Sequence, residues 1–515
     1  MRMRPVHLLS CLSVLALFCA HADVTLPAVI SDNMVLQQDK DCPIWGKAEP
    51  GEKVTVSIAG KKASTKAGAD GQWSVKIGGI KAGGPYEMTI AGKNEIKISN
   101  ILAGEVWVAS GQSNMEWTVK NSRDPEQEIA NAKFPSIRMF TVKKKVAGEP
   151  QSNCEGKWEV CDSSTVANFS AVGYFFAREL YQRLGIPVGV IHTSWGGTPA
   201  ESWTSAEGLQ NDPDFQPIIE NFKKKVENFP KARDAYPEQV KKWEEAAAKA
   251  KAENKPVPNK PRQPSEPEND PWKPSGLYNG MIAPILNYRI AGAIWYQGES
   301  NAGRAYQYRK LFPNMITDWR KHFKQGNDFP FLWVQLANFM AKKPEPGESS
   351  WAELREAQQM TLKLPNTGTG LAIDIGEEKD IHPKNKQDVG RRLAFGALKI
   401  AYNRENAFSG PVYDSVDFKD GKAEVKFKHA FEGLKVKGDK LTGFAIAGED
   451  KKFVWADAKI IGNDKVQVWS DAVKAPVAVR YGWADNPDVA LYNNADLPAS
   501  PFRTDEWDGV TKGKN

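Results

Sequence analysis

The sequence predicts an α/β fold, in which a doubly wound parallel sheet is flanked by an N-terminal and a C-terminal β-rich domain. From residue 101 to 405, short apolar runs alternate with stretches of helical periodicity, which is typical of βαβ units. Residues 23–100 and 410–510 contain only short alternating strands, separated by turn residues. The 515 residues exceed the length of a single core, so several domains are expected.

Residues 1–22 resemble a cleaved signal peptide. Arg2 and Arg4 precede an apolar run, and Ala20-His-Ala22 provides the small residues of a cleavage site. A lipoprotein signal around Cys11 is the alternative. The apolar run is shorter than the roughly 20 residues that a membrane span needs, and no later stretch reaches that length. We therefore expect a secreted or periplasmic protein without a membrane span.

The α/β region, residues 101–405, contains predicted strands and helices in regular alternation. The predicted strands are Glu105–Ala109, Val188–His192, Ala293–Tyr296, Phe331–Leu336 and Gly370–Ile375. The predicted helices are Phe175–Leu184, Tyr306–Phe323, Trp351–Leu364 and Lys386–Tyr402. An insertion at about 205–275 has a Lys/Glu/Ala-rich helical part followed by a proline-rich connector. The N-terminal strands suggest a small β-sandwich.

Composition excludes several function classes. The formal charge of +6 is small for this length and does not predict nucleic-acid binding. No cysteine or histidine cluster has the spacing of metal ligands, so no metal or other cofactor is expected. In an oxidising compartment Cys154 and Cys161 could form a disulfide, which would leave Cys42 as a buried thiol. The oligomeric state is not determined by these features.

Ser113 is the strongest candidate for a catalytic residue. The apolar run Val106–Ala109 ends in Ser-Gly-Gln112-Ser113-Asn114, which presents one serine where a strand stops. Open α/β sheets place their chemistry at the carboxyl ends of the strands. A serine at this edge can act as a nucleophile if a histidine reaches it.

Four histidines outside the signal segment can be compared as the base. His429 lies in the C-terminal β-rich domain, and His322 ends an amphipathic helix. His192 ends a strand and is the rival. His382, in the loop after the last predicted strand, has a carboxylate two residues away and is preferred. Asp380 is the nearest acceptor for its Nδ1 side, with Asp374 or a backbone carbonyl as alternatives.

Two further strand ends offer donors for an oxyanion. Gly196 and Gly197 follow the strand that ends at His192, and glycine lets a backbone N–H approach a ligand closely. The next strand is followed by Gln297-Gly-Glu299-Ser-Asn301, whose side-chain amides can donate. Together with the turns that carry Ser113 and His382, this makes four strand ends with polar residues of the kinds found in catalytic sites. Ordinary turns are not expected to show such a combination by chance. The Gly-x-Ser-x-Gly elbow of α/β-hydrolases is absent, because Asn114 and Met115 follow the serine.

The chain resembles the sialate O-acetylesterase family within the SGNH hydrolases. Four blocks carry this resemblance: Gly111-Gln-Ser-Asn114, Gly196-Gly-Thr-Pro-Ala-Glu-Ser-Trp203, Trp295-Tyr-Gln-Gly-Glu-Ser-Asn301 and Asp380-Ile-His-Pro-Lys-Asn-Lys386. It implies Ser113 as nucleophile and His382 as base, with the oxyanion held by the Ser113 N–H, Gly197 and Asn301. SGNH enzymes commonly have Asp-x-x-His, whereas Lys379 occupies that position here. A Ser–His dyad therefore stands beside the triad with Asp380.

The resulting hypothesis is an O-acetylesterase that acts on O-acetylated sugars, with sialic acids as the substrate that the resemblance implies. Gln112, Gln297 and Glu299 are expected to line the site. Acetylxylan or another hemicellulose is the alternative substrate. A non-catalytic carbohydrate-binding protein is the alternative of a different class, suggested by two β-rich domains and 17 tryptophans. For a sialic-acid carboxylate, Arg355 is a candidate cation, with a surface helix ion pair as the simpler interpretation.

Overall fold

The computed structural model describes residues 23–210, 212–325 and 329–515. The signal-peptide prediction lies outside these residues. The N-terminal strands are β1 (Val35–Gln37), β2 (Cys42–Lys47), β3 (Lys53–Ile58), β4 (Lys61–Lys66), β5 (Gln72–Ile77), β6 (Gly83–Ala91) and β7 (Glu95–Gly111). Strand β5 alternates exposed and buried positions, as expected for a sheet with one face on a core.

Strand β7 connects the N-terminal β region to the α/β region. Its first half pairs antiparallel with β6, while its second half pairs parallel with the strands β10 (Val188–Ser194) and β11 (Gly292–Tyr296). Every residue from 101 to 111 is buried, because this part of the strand is covered on both faces. The predicted boundary between residues 100 and 101 therefore lies inside one continuous strand.

The α/β region is built on a mainly parallel sheet. Its remaining strands are β8 (Phe134–Thr141), β9 (Trp158–Cys161), β12 (Phe331–Gln335) and β13 (Thr367–Leu371). The order is β13-β12-β11-β7-β10-β8-β9, and only β9 at the edge is antiparallel to its neighbour. The order reverses around β7, so the carboxyl ends of β7, β10 and β11 meet at the kind of crevice where α/β proteins bind ligands.

The chain has eight α-helices in its described residues, and four of them pack in two pairs beside this sheet. The helices are α1 (Ser113–Glu116), α2 (Pro125–Ala130), α3 (Ala171–Leu184), α4 (Ala206–Gln210), α5 (Gln216–Ala252), α6 (Ala305–Phe323), α7 (Ser350–Met360) and α8 (Lys386–Ile400). Helix α3 packs on α8, and α6 packs on α7. The predicted α/β class and its long helices are thus present, with ends shifted by a few residues.

The insertion consists of α5 and the segment after it. Helix α5 contains Pro230 and Pro237 and buries only Ile218 and Ala247, which fits its solvated Lys/Glu-rich surface. The proline-rich connector has no regular structure except a short 3₁₀ turn, Pro267–Asn269. Part of this connector lies beside Ser113 and His382, at the carboxyl edge of the sheet.

The C-terminal β-rich region has its own core. Its strands are β14 (Val412–Lys419), β15 (Lys422–Lys428), β16 (Leu434–Val436), β17 (Phe444–Ala447), β18 (Val454–Trp455), β19 (Asp457–Ile460), β20 (Lys465–Trp469), β21 (Ala478–Tyr481), β22 (Leu491–Asn493) and β23 (Phe502–Arg503). Arg355 joins this region to the α/β region. It is fully buried and donates to the carbonyls of Leu336, Ala337, Ala484 and Asp485 at 2.7–3.0 Å. Both interpretations of Arg355 as a surface or substrate-binding cation are therefore wrong.

The cysteines outside the signal segment are free thiols. Cys154 and Cys161 are each buried and are not joined by the disulfide that their spacing suggested. Burial raises the pKa of Cys154 to about 11 and that of Cys161 to about 12, so both stay protonated at neutral pH. Cys42 is a buried thiol, as predicted. No helix in the described part of the chain is long and apolar enough to cross a membrane.

Candidate active site

Ser113 lies at the turn from β7 into α1. Gly111 has φ +139° and lies so close to β11 that an added Cβ would be 2.1 Å from the carbonyl oxygen of Tyr296. Only glycine permits this approach, which brings the following residues to the carboxyl edge of the sheet. Ser113 is the first residue of the helical turn and is partly exposed. Its N–H has no partner among the described residues, as expected at a helix start.

His382 lies in the loop between β13 and α8, on the wall of the same cavity as Ser113. Its ring stacks on Trp117, with centroids 4.7 Å apart and an interplanar angle of 13°. Burial, and then the charge of Lys386, lower its pKa. A lowered pKa keeps the imidazole neutral, as a general base must be before it accepts a proton. No hydrogen bond joins His382 to Ser113 here, and such contacts often tighten only when substrate binds.

Asp380 lies beside His382 without a direct side-chain hydrogen bond. Its Oδ1 is 3.6 Å from His382 Nδ1 and accepts the backbone N–H of His382 at 2.9 Å. The rival Asp374 instead binds Arg392 through both oxygens, at 2.6 and 2.8 Å, and accepts from the Tyr492 hydroxyl. Asp380 is therefore the candidate carboxylate nearest the His382 imidazole. In this conformation it acts on the ring through its charge and not through a side-chain hydrogen bond.

The other histidines have different surroundings. His192 is almost fully buried, its Nε2 lies 2.6 Å from Ser194 Oγ, and burial lowers its pKa to about 4. His322 lies on α6, where its Nδ1 is 2.9 Å from the Asp318 carbonyl. His429 follows β15 and contacts Phe408. Of the four, only His382 lines the cavity that contains Ser113.

The loop after β10 lies against Ser113. A Cβ added at Gly196 would be 3.2 Å from the Ser113 Cβ, so the two backbones are nearly in contact. The Gly196 N–H donates to Glu116 at 2.7 Å, while Glu116 also binds Lys144. Gly197 has φ +74° and faces open space, and its N–H has no partner within the described residues. Two free N–H groups, of Ser113 and Gly197, therefore lie on the cavity wall.

The two amides after β11 are buried behind this wall. Asn301 accepts from the Ala200 N–H at 3.0 Å and donates to Glu201 at 2.9 Å. Gln297 is fully buried and holds Asn301 at 2.6 Å, while its oxygen accepts from the Tyr308 hydroxyl. Neither residue lines the cavity. Asn301 binds Ala200 and Gln297 binds Thr198, so both support the loop that carries Gly197.

Gln112 and Glu299 do line the cavity. Gln112 is buried, and its side-chain oxygen is 3.4 Å from the N–H groups of Gly298 and Ser300. Glu299 accepts from the Asn114 side chain at 2.7 Å, and burial raises its pKa. Asn114 in turn accepts from Lys386. Gln112 and Glu299 are predicted from the sequence as lining residues, whereas Asn114 and Lys386 are given no role there, although both belong to the four blocks that carry the family resemblance.

The cavity measures about 990 Å³ and is completed by the insertion. The insertion residues on its wall are Lys225, Arg262, Gln263, Pro264, Ser265, Asp270, Pro271 and Trp272. Lys225 pairs with the buried Asp270, whereas Arg262 forms no ion pair with any described carboxylate. Trp272 is 46% exposed. The sequence predicts only a solvated helix surface and a proline-rich connector for this region. In the described residues no group of acidic, histidine or cysteine side chains could hold a metal ion.

The chain is similar to proteins of one esterase family. A family profile described as carbohydrate esterase, sialic acid-specific acetylesterase, matches residues 103–249 and 268–399. Sialate O-acetylesterase of Mus musculus is 30% identical over 528 residues, which cover 92% of this chain and 93% of that protein. The Homo sapiens enzyme of the same name is 29% identical over 522 residues, 92% of this chain and 91% of that protein. The structure of a carbohydrate acetylesterase from Xanthomonas citri superposes with a TM-score of 0.80 at 39% identity, covering 94% of this chain and all of that one.

Proposed function

The chain belongs to the carbohydrate esterase family of sialic acid-specific acetylesterases, and from this premise we propose that it hydrolyses acetyl esters of sugars, with Ser113 as nucleophile and His382 as base. One observation carries the assignment of residues. Ser113, Gly197 and His382 follow three different strands and line one cavity. A serine, a neutral imidazole and free N–H donors are the parts that acyl transfer needs.

The acylation step begins with proton transfer. His382 takes the proton of Ser113 Oγ, and the oxygen attacks the carbonyl carbon of the acetyl group. The carbonyl π electrons move onto oxygen to give a tetrahedral oxyanion. When this intermediate collapses, the bond between the carbonyl carbon and the sugar oxygen breaks, and His382 returns the proton to the sugar hydroxyl.

The deacylation step repeats this chemistry with water. His382 removes a proton from a water molecule, which attacks the acetyl group on Ser113. Collapse of the second intermediate releases acetate, and the proton on His382 restores the Ser113 hydroxyl. These steps use only side chains of the protein and water.

The oxyanion is proposed to lie between the Ser113 N–H and the Gly197 N–H, neither of which has another partner in the described chain. The amide of Asn301 is the third proposed donor; because it is buried behind the cavity wall, this role requires its N–H to become accessible when substrate binds. Its Nδ2 carries two hydrogens and gives one to Glu201 at 2.9 Å, so a second remains. Donors already held in place need no reorganisation as charge develops in the transition state.

We further propose that the α/β region has the fold of an SGNH hydrolase. We also propose that residues 1–22 direct export. The serine on the turn after β7, and His382 in the loop after β13, support the first point. The charged, apolar and small-residue order of the N-terminus supports the second. Export would be tested by N-terminal sequencing of protein recovered outside the cytoplasm, where a mature chain beginning at Asp23 is expected.

The substrate proposed is an O-acetylated sialic acid. Arg262 on the cavity wall has no carboxylate partner in the described chain, and a sugar carboxylate would provide one. The cavity of about 990 Å³ is at the upper end of the range for small-molecule sites, which suits a sugar with substituents. Acetate release from O-acetylated sialic acid and from acetylated xylan should be measured side by side. Faster hydrolysis of the neutral xylan would reject the sialic-acid assignment in favour of a hemicellulose esterase.

The role of Arg262 can be separated from the chemistry. Arg262→Ala should raise KM for the sialic acid several-fold and leave 4-nitrophenyl acetate hydrolysis unchanged. Lys260→Ala is the matched control, because Lys260 lies in the same segment over the Trp243 ring and does not line the cavity. Equal effects of the two variants would show that Arg262 has no specific contact with the carboxylate.

Ser113→Ala tests the function itself. It should abolish acetate release and labelling by a fluorophosphonate probe. Ser300→Ala, which alters another serine on the cavity wall, should keep both. Labelling of the parent protein also distinguishes an esterase from a non-catalytic carbohydrate-binding protein. Full activity of Ser113→Ala would refute the assignment.

A further inference from the structure

Lys386 is a buried cation below the candidate catalytic pair. It is the first residue of α8 and is 0% exposed, although an ammonium is costly to remove from water. Its Nζ donates to Asn114 Oδ1 at 2.5 Å and lies 5.3 Å from the centre of the Tyr296 ring. No described carboxylate lies within ion-pair distance of it. A buried lysine without an ion pair lowers stability, so its position calls for another explanation.

Asn114 connects this cation to both halves of the site. It follows Ser113 in the chain, and its Nδ2 donates to the carbonyl of Ile381, the residue before His382, at 3.1 Å. The same nitrogen donates to Glu299 at 2.7 Å. One buried amide therefore ties the Ser113 turn to the His382 loop, and Lys386 holds that amide by its oxygen.

Glu299 forms the other end of this network. Its Oε1 accepts from Asn114, whereas its Oε2 is buried and has no partner in the described chain. Burial lowers the pKa of Lys386 to about 7, with Glu299 opposing that shift. The charge of Lys386 is therefore present in the acidic range and is lost as the pH rises through about 7.

His382 faces Lys386 and several other charged groups. The Trp117 ring is near both residues, with its centre 4.7 Å from the His382 ring centre and 6.0 Å from Lys386 Nζ. Asp380 lies on the same loop as His382 and raises the pKa of His382, whereas Lys386 lowers that pKa. The other charged groups around the cavity are Glu116 on α1, Glu299 after β11, and Lys225, Arg262 and Asp270 on the insertion.

We propose that Lys386 is a positioning residue of the esterase site, which holds the Ser113 turn against the His382 loop through Asn114 and uses its charge to keep His382 unprotonated in acidic solution. This inference rests on the proposed function. Its physical reason is that a positive charge close to an imidazole disfavours the imidazolium. The charge is present below neutral pH, where His382 would otherwise be protonated and inactive.

Two substitutions separate the charge from the hydrogen bond. Lys386→Met removes both, whereas Lys386→Gln removes the charge and can still donate to Asn114. In both variants the acid limb of kcat/KM should move upward by roughly one pH unit, as expected for a unit charge within about 10 Å at an effective dielectric of about 20. Lys386→Met should also lower kcat, because the tie between the two loops is lost. Lys386→Arg should return the acid limb toward that of the parent enzyme.

The matched control is Lys384→Met, which removes one exposed positive charge two residues earlier in the same loop. It should leave the acid limb in place. The pH dependence of fluorophosphonate labelling gives the same readout without a sugar substrate, and thermal unfolding monitors the fold. An unmoved acid limb in folded Lys386→Met and Lys386→Gln would overturn the proposal, as would an equal shift in Lys384→Met. An active Ser113→Ala would instead overturn the function on which it rests.

Discussion

Replacing Asp380 by asparagine asks whether the site works as a triad or as a dyad. In the structure the carboxylate is 3.6 Å from His382 Nδ1, beyond hydrogen-bond distance, and its side chain is 38% exposed. An exposed charge pair contributes about 0.5–1 kcal/mol, which corresponds to a loss of roughly two- to fivefold in kcat/KM. A hydrogen-bonded triad carboxylate would instead lose about ten-thousandfold. Asparagine keeps the acceptor for the His382 N–H, so the loop conformation should persist.

The pH dependence gives this substitution a second readout. The Asp380 carboxylate raises the pKa of His382, against the lowering by burial and Lys386. Its removal should therefore lower that pKa further, and the acid limb of kcat/KM should move to lower pH. This is opposite in sign to the shift expected from removing the charge of Lys386.

The assay is acetate release over the range from about pH 4 to 9, with Glu378→Gln as the control. Glu378 is an exposed carboxylate of the same loop, so its variant makes the same charge change away from the imidazole. A loss above about a thousandfold in Asp380→Asn would refute the reasoning. It would mean that Asp380 moves into contact with Nδ1 once substrate is bound, and that the triad is real.

Three further substitutions test other parts of the structure. Asn301→Ala should lower kcat by about a hundred- to a thousandfold and change KM little, because the variant lacks the amide that is proposed to donate to the oxyanion. An unchanged kcat would show that Asn301 serves only to hold Ala200 and Glu201. Gly111→Ala should prevent correct folding, because its Cβ would meet a backbone oxygen at 2.1 Å, whereas Gly60→Ala, with open space around it, should cost only about 1 kcal/mol in the free energy of unfolding. Equal stability of these two variants would contradict the close strand approach. Arg392→Met should lower the free energy of unfolding by about 3–5 kcal/mol, since it leaves the buried Asp374 carboxylate without its cation; a change in urea midpoint within error would be inconsistent with that burial.

The candidate site was predicted in outline by local patterns. The serine after an apolar run, the glycine pair after another, and the Asp-x-His string after the last strand could be recognised because strand ends in an α/β sheet share one edge. The residues between these landmarks were harder to assign. Glu299 and Gln297 were expected together as lining residues, yet Glu299 faces the cavity while Gln297 is buried behind it. A local pattern does not distinguish the two sides of a turn.

The sequence by itself determined the α/β class, the four polar strand ends and the resemblance of their motifs to one esterase family. Apolar periodicity and turn residues act over a few positions, so they are visible in the linear chain. Only the tertiary structure decided which charges are buried and what they contact. Arg355 binds backbone carbonyls between two regions, and Lys386 reaches Asn114 across 272 positions of sequence. The insertion, which looked like solvated surface, supplies one wall of the cavity. Desolvation and partner choice depend on residues that are distant in the chain, and for that reason they are settled only when the chain is folded.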